Sequence, residues 1–343
     1  MSAGRPVVLV APDKFRSTAT AWELTRAVEN RLVGVAEVDA LPLSDGGEGF
    51  LDAMGGTSIM VRARDPRGRW RSVEARVVQS GSGRLGVLES ARIIGRDGWT
   101  PASSFEAVTA SSAGVADAIY DLAQHGVDEI LLGTGGSATS DGGQGLYDVL
   151  RERGGLPVPL TVATDIRATY HHACDYAAQK GVAESDLPLV ARNLELAAAR
   201  FERDTGVDVT LVERTGSAGG IAGALFACGA ALEGGFERVA SHAGLRDRVR
   251  RADVVVTGEG RLDEGSLDGK VVGSLLSLCD GPVLVICGSI DAVIAQRLER
   301  EYPVAVCVSM TDRVGVASLS QASSSFAEVV ATELRSLGFV TDL

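Results

Sequence analysis

The strongest constraint on this chain is a rhythm at its two ends: short β-branched apolar runs alternate with helix-length amphipathic stretches. Residues 7–11 (VVLVA) form an apolar run ending in Pro12 and Asp13, which predicts a buried strand entering a loop. Thr20 and Glu23 have capping-box spacing, and Leu24, Val28 and Leu32 then fall four apart, so residues 20–32 are a predicted helix. A second strand near 36–41 runs into Ser44-Asp45-Gly46-Gly47-Glu48-Gly49. In the last third, predicted strands 253–257, 282–287 and 303–309 alternate with helices near 266–279, from 291 and from 320. Short strands separated by helices imply a parallel sheet with right-handed crossovers. Both ends share this style, so residues 1–60 and 250–343 are expected to build one α/β domain, with 61–249 inserted as a second. Ligands of such sheets bind beyond the carboxyl ends of the strands, where the Asp/Gly loops fall.

The middle reads differently. Segments 59–64 and 73–78 alternate as strands and 85–88 is a short apolar run, with a turn at 80–83, so this part is expected to be antiparallel. A helix near 112–125 stops at Gly126, and strand 129–132 enters the loop GTGGSATSDGGQG at 133–145. Strand 160–163 leads to Asp165. A helix near 185–203, a strand at 207–211 and a small-residue helix after Ser217 follow.

Composition narrows the function. Of 343 residues, 33 are basic and 45 acidic, and a net charge of −12 argues against nucleic acid or an anionic membrane as partner. An anionic substrate therefore needs local positive charge. Only three basic residues are Lys: Lys14, Lys180 and Lys270. Five cysteines without a C-x-x-C pair, and an opening apolar run too short for a signal peptide, fit a reducing cytoplasm. The longest small, apolar stretch, 219–232, is too short for a membrane span and is expected to be a buried helix.

Three loops could carry chemistry. The SDGG loops at Ser44 and Ser140 would aim backbone N–H groups at an anion, while Asp45 and Asp141 could hold Mg²⁺. The segment 257–263 (TGEGRLD), followed by Gly269-Lys270, joins a strand to a helix and offers Gly258, Glu259, Arg261, Asp263 and Lys270 for phosphate and metal. It is not a Walker A loop, because Val271 replaces Ser/Thr. Gly216-Ser217-Ala218-Gly219-Gly220 either opens a helix that favours an anion or permits close packing. The G-x-G-x-x-G at 81–86 lies between strands and opens no helix, so it fails as a dinucleotide site. His171 and His172 lack accompanying ligand spacing and are expected to be ordinary loop histidines.

Together these segments resemble the bacterial glycerate kinase family: APDKF at 11–15, LPLSDGGEG at 41–49, GTGGSATSDGGQG at 133–145, GSAGG at 216–220 and VVTGEGRLDEGSLDGK at 255–270, in family order. The resemblance implies a flavodoxin-like (Rossmann-like) domain split by an inserted α/β domain, an active site in the cleft, and MgATP as phosphoryl donor to D-glycerate. The sequence departs from the family inside the insertion. The Asn-Pro-Leu expected after Asp165 reads Ile166-Arg-Ala-Thr-Tyr170, the Arg-Asn-Pro loop reads Phe105-Glu-Ala107, and Gln179-Lys180-Gly181 lacks its preceding Phe-Gly-Pro. In the first loop Arg16 stands where the family has Lys.

The expected reaction is transfer of the γ-phosphoryl of ATP to a glycerate hydroxyl, with 2-phosphoglycerate favoured as product. Asp165, or else Asp141, would accept the hydroxyl proton. Lys14, Arg16, Arg261 or Lys270 would hold the substrate carboxylate and phosphates, and Asp45 or Asp263 would hold Mg²⁺. Asp13, Gly46, Gly47, Glu48, Gly135, Gly136, Ser137, Ser217, Gly219, Gly220, Gly258 and Glu259 complete the expected binding surface. Two alternatives stand beside this: a kinase of another small hydroxy acid, and a homologue that binds nucleotide or metabolite without catalysis. A homodimer is left open.

Overall fold

The computed structural model describes residues 5–15, 18–81, 83–96, 98–267 and 270–341. Among these residues the strands are, in chain order, β1 (Val7–Val10), β2 (Glu37–Ala40), β3 (Thr57–Arg64), β4 (Trp70–Ser80), β5 (Gly83–Glu89), β6 (Glu129–Gly133) and β7 (Leu160–Ala163). They continue with β8 (Ala231–Glu233), β9 (Val254–Thr257), β10 (Arg261–Leu262), β11 (Val283–Cys287), β12 (Ser289–Ile290) and β13 (Ala305–Ser309). The protein is α/β, and its chain divides into two compact units, residues 1–45 with 236–343, and residues 46–235.

The first unit carries a five-stranded sheet in the order β13-β11-β9-β1-β2, parallel throughout. Its central strands, VVLV, VVVT and VLVIC, are continuous apolar runs, as a parallel sheet covered on both faces demands. Leu24 and Val28 of the helix Ala21–Arg31 and Phe326 and Val330 of the helix Ala322–Ser336 pack on Val8, Val10, Val254 and Ile286. The capping box forms as the sequence predicts: Glu23 N–H donates to Thr20 Oγ1 at 3.1 Å, and Thr20 N–H donates to Glu23 Oε2 at 2.8 Å. The helix expected over 266–279 is instead two pieces, Glu264–Leu267 and Val271–Leu276. A Cβ on Gly273 would stand 2.6 Å from the Leu267 carbonyl oxygen, so glycine lets the second piece press on the first.

The second unit holds a six-stranded sheet in the order β3-β4-β5-β6-β7-β8. The expected antiparallel portion is β3-β4-β5, and β5 then turns parallel to β6, followed by β7 and β8. Two expectations fail here. Residues 207–211 form no strand, because Asp208 Oδ1 accepts from both the N–H and the hydroxyl of Thr210 at 2.8 and 2.7 Å. That local turn competes with the extended ladder, and Val209 is instead a fully buried plug. The helix after Ser217 is shorter than expected, Ile221–Ala227, and residues 231–233 form β8.

The units divide at 45/46 and 235/236, where the sequence suggested 60/61 and 249/250. Gly46 and Gly235 meet: a Cβ on Gly46 would lie 3.3 Å from Gly235 Cα. The second unit therefore begins and ends at one point.

Candidate active site

In the first unit, loops leave the carboxyl ends of β1, β2 and β9. Thr257 Oγ1 donates to the Ala11 carbonyl at 2.8 Å, and Asp13 N–H donates to the Gly258 carbonyl at 2.9 Å, tying the first and last loops together. Gly258 is obligatory, since a Cβ there would stand 1.7 Å from the Ile286 carbonyl oxygen. Lys14 Nζ lies 3.5 Å from Asp13 Oδ1 and 3.8 Å from Asp45 Oδ1. Burial pushes the Asp13 carboxyl up to about 6; Lys14 opposes this and Asp45 adds to it. Burial likewise pushes Glu259 up to about 7, against a Ser266 hydrogen bond and Lys270 but assisted by Asp13 and Asp263. Glu259 Oε1 is buried without a hydrogen-bond partner. Asp13, Lys14, Asp45, Glu259, Asp263 and Lys270 thus act on one another, and their crowded carboxylates suit a divalent cation. Among the described residues no three His, Cys, Asp or Glu side chains form a ready metal cluster. Mg²⁺ keeps several waters and takes one or two carboxylates besides phosphates. Arg261 opens β10 and is exposed. Arg16 and Gly269 lie outside the described residues.

In the second unit, the parallel strands β5, β6 and β7 end in Glu89, Gly133 and Ala163, and the expected loops gather there. Gly46 and Gly47 pack backbone to backbone on them. A Cβ on Gly46 would meet Ala163 O at 2.7 Å, one on Gly133 would meet Gly46 O at 2.6 Å, and one on Gly135 would meet Gly47 Cα at 2.8 Å. Glu48 follows, half-buried. Gly135 also exchanges hydrogen bonds with the Ser90 hydroxyl, both at 3.1 Å, and the Gly136 carbonyl accepts from Arg96 N–H at 2.7 Å. Ser217 Oγ sits between Thr134 Oγ1 (3.0 Å) and Thr164 Oγ1 (2.9 Å), a buried hydroxyl chain across the ends of β6 and β7. Asp165 is next in sequence, half-buried, with Oδ1 accepting from Gly235 N–H at 2.7 Å.

Asp141, the other candidate base, accepts four hydrogen bonds. Oδ2 accepts from Ser112 N–H (2.9 Å), Ser112 Oγ (2.7 Å) and Gly145 N–H (3.1 Å), while Oδ1 accepts from Gly143 N–H at 3.1 Å. Three donors on Oδ2 and one on Oδ1 fasten the loop to the start of the helix Gln144–Glu152. The Gly216–Gly220 segment runs through a kinked turn into the helix Ile221–Ala227, with Gly220 at its N-cap position. Ala218, Gly219 and Gly220 all have left-handed backbones, and a Cβ on Gly219 would stand 2.2 Å from Thr139 O. Close packing requires glycine at Gly216, Gly219 and Gly220. His172 Nδ1 lies 2.9 Å from Asp175, both exposed.

The site also contains residues that sequence reasoning did not assign. Lys180 is buried, and its Nζ donates to Ser137 Oγ at 3.2 Å and to the Thr139 carbonyl at 2.6 Å. Burial lowers its pKa to about 8, with Asp141 resisting. Two signals in the sequence point to it: its rarity in a lysine-poor chain and its place in Gln179-Lys180-Gly181, kept from the family pattern. Thr139 Oγ1 and Ser140 Oγ in the same loop are buried without partners. Thr134 and Thr164 each directly follow a strand, but nothing local distinguishes them from ordinary turn threonines.

The model of the family described as "Glycerate kinase family" matches residues 8–153 and 158–337. The chain is 28% identical to a glycerate kinase of Halalkalibacterium halodurans, covering 94% of this chain and 97% of that one. It is 28% identical to a glycerate 2-kinase of Escherichia coli K12, covering 96% and 100%. A crystal structure from Salmonella typhimurium LT2, provisionally assigned as glycerate kinase 2, superposes with a TM-score of 0.73 at 25% identity over 97% of this chain and 99% of that one. The chain belongs to the glycerate kinase family, whose members are phosphotransferases with an alcohol group as acceptor.

Proposed function

We propose that this protein transfers the γ-phosphoryl of MgATP to a hydroxyl of D-glycerate, giving 2-phosphoglycerate. Within a family match that spans the chain, the observation that carries this reading is the gathering of Gly46–Gly47, the 133–136 loop, the Thr134–Ser217–Thr164 hydroxyls and Asp165 at the carboxyl ends of the parallel strands β5, β6 and β7. Phosphoryl transfer requires alignment and charge neutralisation more than covalent help.

Asp165 is the residue assigned to accept the proton of the acceptor hydroxyl. Its Gly235 hydrogen bond fixes the carboxylate's direction, which matters because a base must lie within hydrogen-bond reach of the proton it takes. Lys14, Lys270 and Arg261 supply positive charge for phosphate oxygens. Asp45 and Asp263 would hold Mg²⁺, with the unpartnered Oε1 of Glu259 beside them. The cation, when bound, would neutralise charge on the phosphates. Lys180 shapes the Ser137–Thr139 turn from within.

Release of ADP in the presence of D-glycerate and Mg²⁺, with product position read by phosphorus NMR, tests the reaction. A panel of other small hydroxy acids tests the acceptor; better use of another acid would replace glycerate. Asp165→Asn should lower kcat by about 10²–10⁴-fold while leaving the thermal midpoint unchanged. Near-normal turnover in that variant would remove Asp165 from the role.

A further inference from the structure

We infer that Arg214, tethered to the end of β7, is the cation that receives the carboxylate of the hydroxy-acid substrate. This rests on the kinase reading above and deepens it. Arg214 has a left-handed backbone (φ 74), a conformation that glycine adopts readily and a long side chain does not. Non-glycine residues persist in such backbones where the surroundings over-determine them, and they cluster at ligand sites. Here the surroundings are firm: Ser217 N–H donates to the Arg214 carbonyl at 3.0 Å, and Ser217 is itself locked between Thr134 and Thr164.

The guanidinium is half-buried, and Nη1 donates to the Thr164 carbonyl at 3.2 Å. Among the described residues this is its one hydrogen-bond partner, and no carboxylate pairs with it. Several other arginines of the same unit are engaged by carboxylates, Arg64 by Asp117, Arg67 by Glu106, Arg92 by Glu74 and Arg200 by Asp148, while Arg71, Arg84 and Arg96 donate to carbonyl or amide oxygens. Arg214 thus keeps forked N–H donors for a planar anion, the geometry that binds a carboxylate through two parallel hydrogen bonds.

Position selects the substrate's carboxylate over a phosphate. The tether is the carbonyl of Thr164, the residue immediately before Asp165. In a 2-hydroxy acid the carboxylate and hydroxyl are carried on adjacent carbons. A hydroxyl directed at Asp165 therefore places the carboxylate a single side chain away, within reach of an arginine anchored on the neighbouring residue. A chain of net charge −12 needs such a counter-charge to admit an anion beside Asp165.

Arg214→Gly tests this with little risk to folding, because glycine accepts the left-handed backbone without strain. The expected result is a thermal midpoint at or above that of the parent and a KM for D-glycerate raised about 10- to 100-fold. KM for ATP should change less than about twofold. Arg214→Lys should fall between the two, since an ammonium loses the fork. An unchanged glycerate KM, or a rise in the ATP KM instead, overturns the assignment. Calorimetric titration of D-glycerate onto parent and Arg214→Gly separates this from the kinase reading. A parent that binds glycerate without turnover sinks the kinase reading alone, and Arg214 is then judged by whether the variant loses that binding. A parent that neither binds nor phosphorylates glycerate overturns both.

Discussion

Glu89 lies at the end of β5 with under 2% of its surface exposed, and its Oε2 accepts from Leu51 N–H at 3.2 Å. Burial pushes its carboxyl up to about 7, against the pull of hydrogen bonds from Leu51 and Gly49 and of the Arg92 charge. The folded state then holds this proton between roughly pH 4.5 and 7 while the unfolded chain releases it. Stability from this group is therefore present at low pH and is lost as pH rises through that window. Glu89→Gln keeps an acceptor for Leu51 and removes the charge. The variant should be more stable than the parent at pH 8, on the order of 1 kcal/mol, with the advantage gone at pH 4. Thermal midpoints at the two pH values check this; an advantage equal at both would reject it. Nothing near Glu89 in sequence foretells it, because its partners Gly49 and Leu51 arrive from 40 and 38 residues away.

At the scale of elements, the two hexapeptides SDGGEG and SDGGQG differ at one residue yet fold differently. In the first, Gly46 and Gly49 take left-handed backbones; in the second, Gly142 and Gly143 do. Asp141 fastens its own loop and the following helix, whereas Asp45 faces Lys14 and the corresponding helix Phe50–Met54 is approached by Glu89. Asp141→Asn replaces charge-assisted acceptors with an amide that must turn its NH₂ toward donors. It should lower stability by about 2–3 kcal/mol, seen as a lower thermal midpoint. Asp165→Asn should instead affect turnover with no such shift. If Asp141→Asn melts like the parent, the fastening role is wrong. The capping box of the helix Ala21–Arg31 was legible because its partners are three residues apart. The fate of Asp141 was not, because Ser112 comes from 29 residues away.

At the scale of the whole molecule, the second unit is one continuous segment whose ends meet at Gly46 and Gly235, the arrangement of an inserted domain. It has its own core, which includes Val61, Leu88, Leu132, Tyr147, Tyr170 and Phe201. Residues 46–235 expressed alone should therefore unfold cooperatively, with native-like near-ultraviolet circular dichroism; a broad, featureless transition would show that this core needs the rest of the chain. The sequence by itself determined the α/β class, the parallel sheet drawn from both chain ends and the loops that carry polar chemistry. Those follow from periodicity and from residues a few positions apart, where backbone geometry alone fixes the outcome. The tertiary structure decided where the units divide, how β5 joins antiparallel to parallel pairing, that Asp141 fastens its own loop through Ser112, and that Arg214 is tethered to the Thr164 carbonyl at the end of β7. Each of these depends on hydrogen bonds and burial between segments far apart in the chain, and no local pattern encodes such partners.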